Sequence, residues 1–324
     1  MGRSSVPVWT RDGPLWVPAE WGRALTERRR DVPLSSAVRA ALDARAFLWV
    51  PQKGTLRVQH NVGTVGDVTP GTTVTTGAAE ATKGAVAELI ASTSFEVYWL
   101  EIFAFAYGNA ATDSQGAMDL LIGTSTEEVL IANMLMGFCG LFSSTATGPK
   151  TWRFPLHLPG GTRIACQAAG KRLSTALTVA IFLYGGNGLP PFRPGGKVTT
   201  YGMGTVPFGT TIVPGASAAE GAWTQIVAAT DEDHFAFVPS FQPGTDTTLN
   251  ALTYFADLGI STATEEEIGQ SYMFTTGSDE RMHGPFPAMP TFQDVPGGTR
   301  LVMRVSNSGA NDVGNYNGVI HAVS

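Results

Sequence analysis

Three short motifs recur along this chain at an almost constant spacing. Gly71-Thr72-Thr73-Val74 returns as Gly209-Thr210-Thr211-Ile212. Thr126-Glu127-Glu128 returns as Thr264-Glu265-Glu266. Pro159-Gly160-Gly161-Thr162-Arg163 returns as Pro296-Gly297-Gly298-Thr299-Arg300. The offsets are 138, 138 and 137 residues, in the same order in each half. Such a period is far longer than that of solenoids or propellers, whose repeats run to about 20–50 residues. It implies one domain duplicated in tandem, over residues 70–186 and 208–324.

Each copy reads as all-β. Residues 151–158 alternate, with Trp152, Phe154, Leu156 and Leu158 on one face and Arg153, Pro155 and His157 on the other. A strand at 164–168 follows the Pro-Gly-Gly turn, and 177–184 is a last strand; 235–241, 289–294, 301–305 and 318–323 are the second copy's counterparts. Short strands separated by Gly, Pro, Asn and Ser clusters fit a β-sandwich. Both jelly-roll and immunoglobulin-like connections fit; jelly-roll is preferred, because the Cys-Trp-Cys spacing of an immunoglobulin domain does not occur. In Pro-Gly-Gly-Thr-Arg, proline fixes φ and glycine supplies positive φ at little cost. A structural turn is the first reading, and a ligand or subunit contact through Arg163 and Arg300 the second.

The N-terminal part differs. Residues 1–58 hold ten Lys/Arg and five Asp/Glu, a net of +5, whereas the whole chain carries -6. Four of the seven tryptophans, Trp9, Trp16, Trp21 and Trp49, lie there. Pro7, Pro14, Pro18, Pro33 and Pro51 preclude a long helix, and a short one is expected over 37–47, capped by Ser35 or Ser36. The expected fold is therefore two tandem duplicated, jelly-roll-like β-sandwich domains behind an extended N-terminal arm with a short helix. The boundaries are 1–58 for a docking arm, 59–186 for the first sandwich, 187–207 for a Gly/Pro-rich linker and 208–324 for the second.

Composition excludes other classes. Hydrophobic residues make up 43% of the chain, too many for disorder. The net negative charge argues against a nucleic-acid partner. No apolar stretch approaches the length of a membrane helix, so no membrane partner is expected. The first residues lack the apolar core of a signal peptide, and two cysteines cannot form a disulfide framework, so synthesis in a reducing cytoplasm is expected. Cys139 and Cys166 are read as buried thiols, with a disulfide as the alternative.

The sequence carries no local motif of catalysis or metal binding. No histidine pair has zinc-helix spacing, and neither a Gly-x-Ser-x-Gly elbow nor a P-loop occurs. The doubled glutamates at 127–128 and 265–267 are read as a solvated edge rather than as glycosidase-type acids. Residues 311–317 are read as an Asx-rich turn rather than a calcium loop. No catalytic residue, cofactor or metal is assigned, and the chain is expected not to be an enzyme. One strand points instead to assembly: residues 95–107 are apolar on both faces, where a sandwich strand ordinarily has one wet face. Trp99, Phe103 and Phe105, with Arg163 and Arg300, are the subunit-interface candidates.

The run Trp152-Arg153-Phe154-Pro155 to Pro159-Gly160-Gly161-Thr162-Arg163-Ile164, the strand 177–184 and the preceding Asp119-Leu120-Leu121-Ile122-Gly123 resemble sandwich modules of tailed-bacteriophage head-decoration, head-spike and tail accessory proteins. The resemblance covers both repeats but not the arm, and the second copy departs from it at Phe292-Gln293-Asp294-Val295. It implies a virion component, a homo-oligomer with a trimer favoured, whose partners are capsid or tail subunits and whose location is the virion. Trp9, Trp16, Trp21, Arg28, Arg29, Arg30 and Trp49 would then dock the arm on its neighbour, since Trp and Arg dominate buried interface centres. The alternative is a receptor- or glycan-binding fibre or baseplate module, with Tyr201, Phe208 or Tyr272 stacking on sugars.

Overall fold

The computed structural model describes residues 5–10, 13–18, 56–63, 70–106, 115–123, 127–136, 150–171, 174, 176–186, 194–204, 208–215, 219–243, 253–261, 264–269, 272–276, 282–283, 287–288, 290–307 and 316–324. For 5–10, 13–18, 106, 243, 253–254, 272–276, 282–283, 287–288 and 307 it describes the backbone alone. The chain divides into two units, Met1–Val50 and Pro51–Ser324.

In the first unit β1 (Ser5–Thr10) and β2 (Gly13–Pro18) form an antiparallel hairpin. It sets Trp9 opposite Pro14 and Trp16 opposite Pro7. The helix expected over 37–47, and Trp21, Arg28, Arg29, Arg30 and Trp49, lie outside the described residues.

The second unit holds both repeats, and every described regular element in it is a strand. The first repeat comprises β3 (Arg57–His60), β4 (Thr72–Thr75), β5 (Ala87–Ile90), β6 (Val97–Ala106), β7 (Gly116–Ile122), β8 (Glu128–Leu135), β9 (Lys150–Phe154), β10 (Ile164–Gly170) and β11 (Ala176–Gly185). The second comprises β12 (Val198–Tyr201), β13 (Thr210–Ile212), β14 (Thr224–Val227), β15 (His234–Pro243), β16 (Thr253–Ser261), β17 (Glu265–Glu267), β18 (Tyr272–Thr276), β19 (Met282–His283), β20 (Pro287–Ala288), β21 (Thr291–Val295), β22 (Arg300–Asn307) and β23 (Tyr316–Val323). The strand β12 falls within the segment 187–207.

The first repeat has one sheet ordered β5-β10-β7-β8 and another ordered β9-β6-β11-β3, with β4 also paired to β11. The second has β14-β22-β16-β18-β19 with β17 on β16, and β21-β15-β23-β12 with β13 on β23. Counted from β4 and from β13, and with β18–β20 set aside as additions, the sheets run 1-8-3-6 and 2-7-4-5 in both repeats. That is the double Greek-key connectivity of a jelly roll. Among the described strands, pairing is antiparallel except where β20 meets β9; the isolated bridges Thr76–Ala168 and Leu156–Gly195 are also parallel.

The alternation read at 151–158 is present in part: Trp152, Phe154, Leu156 and Leu158 are buried and His157 is exposed, but Arg153 is half-buried and Pro155 is buried. They join Leu100, Ile102, Ile164 and Ile181 in the first core. Phe237, Leu258, Met303, Tyr316 and Ile320 build the second. Free Cys166 is buried in the first core, where desolvation pushes its thiol up to about 12. Cys139 lies outside the described residues.

The repeated Pro-Gly-Gly-Thr turn is built twice with the same bonds. The Thr162 hydroxyl donates to the Pro159 carbonyl at 2.7 Å, and Thr299 does so to Pro296 at 2.7 Å. A second threonine clamps each turn from the opposite loop: Thr93 donates to Pro159 at 2.8 Å and Thr230 to Pro296 at 3.2 Å. Gly161 and Gly298 have φ of +88° and +83°, the left-handed region that favours glycine.

Candidate functional site: a polar seam and an outer face

Two of the repeated motifs meet in space. Arg163 reaches Glu88 at 2.8 Å and Glu127 at 3.2 Å. Arg300 reaches Gln225 at 3.1 Å and Glu265 at 2.9 Å. The Pro-Gly-Gly-Thr-Arg arginine therefore ties its own strand to the Thr-Glu-Glu carboxylate within each repeat. Both arginines are half-buried. Their duplicated partners explain why the two motifs recur together.

The repeats join along a seam. All eight residues of β23 are buried, on both faces. Tyr316, Ile320 and Ala322 enter their own core, while Val323 joins the first repeat's cluster and Val319 packs with Ala117 and Leu135. On neighbouring β15, Ala236 and Val238 also belong to the first repeat's cluster. The outer face of this sheet is thus covered by the β8 and β9 edge of the other sandwich. The covered strip carries polar groups, and they are paired. The Trp152 indole donates to Ser240 Oγ at 2.7 Å. Ser240 Oγ lies 3.0 Å from His321 Nε2. Thr200 Oγ1 lies 3.0 Å from His321 Nδ1 and donates to the Ala132 carbonyl at 3.0 Å. Each hydroxyl has one proton, so these distances fix the direction. Thr200 gives its proton to Ala132 and accepts from Nδ1–H; Nε2 is bare and accepts from Ser240. His321 is fully buried, and desolvation pushes its imidazole down to about 3, which keeps it neutral. Ser240 and His321 have the contact of a nucleophile and base, but both are buried and Trp152 holds the hydroxyl; the pair is a structural link.

Two further residues, Gln242 and Gly195, brace the seam. Gln242 accepts from Gly116 N at 3.0 Å and donates to the Phe208 carbonyl at 3.1 Å. Gly195 pairs with Pro155 and His157 at 2.8 Å each. A Cβ on Gly195 would lie 2.2 Å from Val323 Cγ1, so only glycine lets the connection pass here.

Among the described residues, no sandwich edge lies on the first repeat's corresponding sheet face. The face of β6 and β11 turned from the core presents Trp99, Glu101, Phe103, Phe105, Phe182 and Tyr184, all half-buried. Three of these, Trp99, Phe103 and Phe105, are subunit-interface candidates from the sequence. Phe103 and Phe182 meet edge to face, centroids 5.6 Å apart. Glu101 accepts from Arg153 Nε at 2.6 Å and from the Tyr184 hydroxyl at 3.1 Å. The two-sided apolar character of 95–107 divides into a core face of Leu100, Ile102 and Ala104 and this outer one.

A third cluster lies on the second repeat. Arg304 pairs with Asp257 at 3.0 Å, with Glu267 at 3.4 Å and with Glu220, and stacks over Trp223 at 4.3 Å. Partial burial, then the neighbouring Asp257, pushes the Glu267 carboxyl up. Sequence reading missed this grouping, because its members are scattered over four segments. Two of the aromatic residues offered as sugar platforms are corrected: Tyr201 and Phe208 are 6% and 4% exposed. Tyr201 faces inward to bond His234 at 2.9 Å. The Tyr272 side chain lies outside the described residues.

No protein-family model and no curated protein matches the chain. Among solved structures, it is similar to PNGase F, a glycosylasparaginase from Flavobacterium meningosepticum, at 10% identity and TM-score 0.34, covering 83% of this chain and 96% of that one. It is similar to a protein of Sulfolobus Turreted Icosahedral Virus at 11% identity and TM-score 0.32, covering 83% and 91%. The tandem CBM22-1-CBM22-2 domain of Paenibacillus barcinonensis Xyn10C matches at 10% identity and TM-score 0.24, covering 84% and 92%. At these scores the likeness assigns no activity and no partner. It does overturn one expectation: several of the similar structures are peptide N-glycanases, so the chain is not set apart from enzymes. The expectation rested on local motifs, and separate strands can assemble carboxylates without one, as Asp257, Glu220 and Glu267 do here.

Proposed function

We propose that this chain is a structural subunit of a tailed-phage virion, with residues 1–58 as its anchor to the capsid or tail and the two sandwiches as its displayed body. The observation that carries this reading is the seam. Two sandwiches of the same connectivity are locked edge to face through a buried, fully directed hydrogen-bond chain from Trp152 to Ala132. Such a joint suits a rigid building block, because a domain pair made to move has a small, wet interface instead. The outer face of β6 and β11 adds a surface suited to a neighbouring subunit, and a homo-oligomer fits that face. The glycan-binding alternative is weakened by the burial of Tyr201 and Phe208.

The test is incorporation. Particles assembled with the full chain are compared with particles assembled with a chain lacking 1–50, a cut that spares β3 and its pairing with β11. The full chain is expected in purified particles and the shortened chain, folded, in the supernatant. A shortened chain that loads normally removes the anchor role. A full chain absent from particles removes the virion reading.

A further inference from the structure

The repeat relates the outer face of β6 and β11 to a surface whose use is visible. Trp99, Glu101 and Phe103 lie 137 residues before Ala236, Val238 and Ser240. In the two sheets Glu101 faces Phe182 and Trp99 faces Tyr184, as Val238 faces His321 and Ala236 faces Val323. The second-repeat set is at most 3% exposed, because a sandwich edge of this same chain lies on it. The first-repeat set is half-buried.

We propose that the outer face of β6 and β11 is an interface that seats a second copy of this chain. This deepens the virion-subunit reading and rests on it. Four observations support the occupant. The equivalent face is already covered by protein, and the covering body is a sandwich with this connectivity. The face is continuous with the seam through β9, whose Trp152 bonds across the seam while Arg153 stands on the face. A copy seated there extends an interface that already exists. The residue types are those that dominate protein interfaces: Trp99, Tyr184, Phe103, Phe182 and Arg153. Where the second repeat has Ala236, Ser240 and Val323, the first has Trp99, Phe103 and Tyr184. Small residues suit the close permanent joint within the chain, and large rings suit anchors between chains. Last, the face can be dried without stranding a charge. Glu101 and Arg153 pair at 2.6 Å, and Tyr184 bonds the other carboxylate oxygen, so covering them buries a paired charge rather than a lone one.

The experiment is sedimentation with light scattering on the full chain across a dilution series, beside Phe103→Glu and Tyr184→Ala. The wild type is expected to associate with a concentration-dependent mass. Phe103→Glu should weaken association by at least about 30-fold, the loss of one interface anchor. The variant should stay folded, as read by circular dichroism, because Phe103 faces away from the core and only its outer ring contact with Phe182 is lost. Should Phe103→Glu fail to fold, Tyr184→Ala, which leaves the Glu101–Arg153 pair in place, decides between the outcomes. A wild type that is monomeric at every concentration overturns the proposal, as does an oligomer that both variants leave intact. A glycan panel run in parallel separates the other occupant: a monomer whose tryptophan fluorescence responds to a sugar makes the face a carbohydrate site. Failure here is distinct from failure of the virion reading. A chain found in particles whose variants assemble normally keeps the function and loses this face.

Discussion

Asp119 and Asp257 occupy the same place in the two repeats, and each finds its cation on a different element. Asp119 on β7 lies opposite Gln167, and Asp257 on β16 lies opposite Arg304. In the first repeat the cation is Lys83, from the connection before β5, at 2.9 Å. The residue 137 positions after Lys83 is Glu220, and the residue 137 after Gln167 is Arg304. Cation and neutral or acidic partner have exchanged elements, while the buried aspartate is unchanged. A buried carboxylate needs a partner but does not specify which strand supplies it.

Removing the carboxylate should therefore hurt the first repeat more. Lys83 is substantially buried, with desolvation pushing its ammonium down against the pull of Asp119. Asp119→Asn should cost about 2–4 kcal/mol, toward the lower end for breaking a buried pair because Lys83 keeps some solvent contact. Asp257→Asn should cost less, since Arg304 keeps Glu220 and Glu267. Urea unfolding curves of the two variants measure the difference.

The seam should be acid-sensitive through His321. Its pKa falls from 6.5 unfolded to about 3 folded, and burial is the cause. Its described partners, Thr200, Ser240 and Phe154, carry no charge. Below 6.5 the unfolded chain takes up a proton that the folded chain refuses. Stability from this group is therefore full above 6.5 and falls as the pH drops toward 3, by up to about 1.4 kcal/mol per pH unit. His321→Gln should flatten the stability profile between pH 6.5 and about 4, read from melting temperatures across buffers. A wild-type profile equally steep in the variant would assign the acid loss elsewhere.

The turn glycines should be costly for their backbone alone. A Cβ on Gly161 or Gly298 would meet nothing within 4 Å, yet both have positive φ. Gly161→Ala and Gly298→Ala should each cost about 1–2 kcal/mol. Gly196→Ala, where a Cβ also meets open space and φ is not in the left-handed region, is the neutral control. Equal melting temperatures for all three would contradict the strain argument.

Trp152 should couple to Ser240 across the seam. Trp152→Phe keeps a ring but drops the indole donor, and Ser240→Ala drops the acceptor. A double-mutant cycle should give a coupling of about 1 kcal/mol, with hydrogen exchange rising along β23 in each single variant. Strictly additive losses would mean that the bond does not join the repeats.

Much of the fold was legible because the duplication left its marks in turns, where backbone geometry restricts the residue. Gly161 and Gly298 were readable for that reason, and so was the alternation of Trp152 to Leu158. The partnership of Arg163 with Glu127 lay half in view: both motifs recur, but nothing in sequence says that the end of one loop meets the end of another. The seam was not readable. Thr200, Ser240 and His321 are polar residues with no repeat and no motif, and the docked sandwich completes their bonding through Trp152 and the Ala132 carbonyl. Tyr201 and Phe208 look like surface aromatics beside glycines in sequence, yet Tyr201 enters the second core and Phe208 is buried where its carbonyl meets Gln242. The acidic set around Arg304 was missed because its members come from separate elements.

The most direct measurement is the protein inventory of purified virus particles from the source culture, with the copy number of this chain quantified by mass spectrometry. A fixed, repeated number of copies per particle is the predicted result. Particles that lack the chain, with the protein free in the surrounding medium, would contradict its role as a virion subunit.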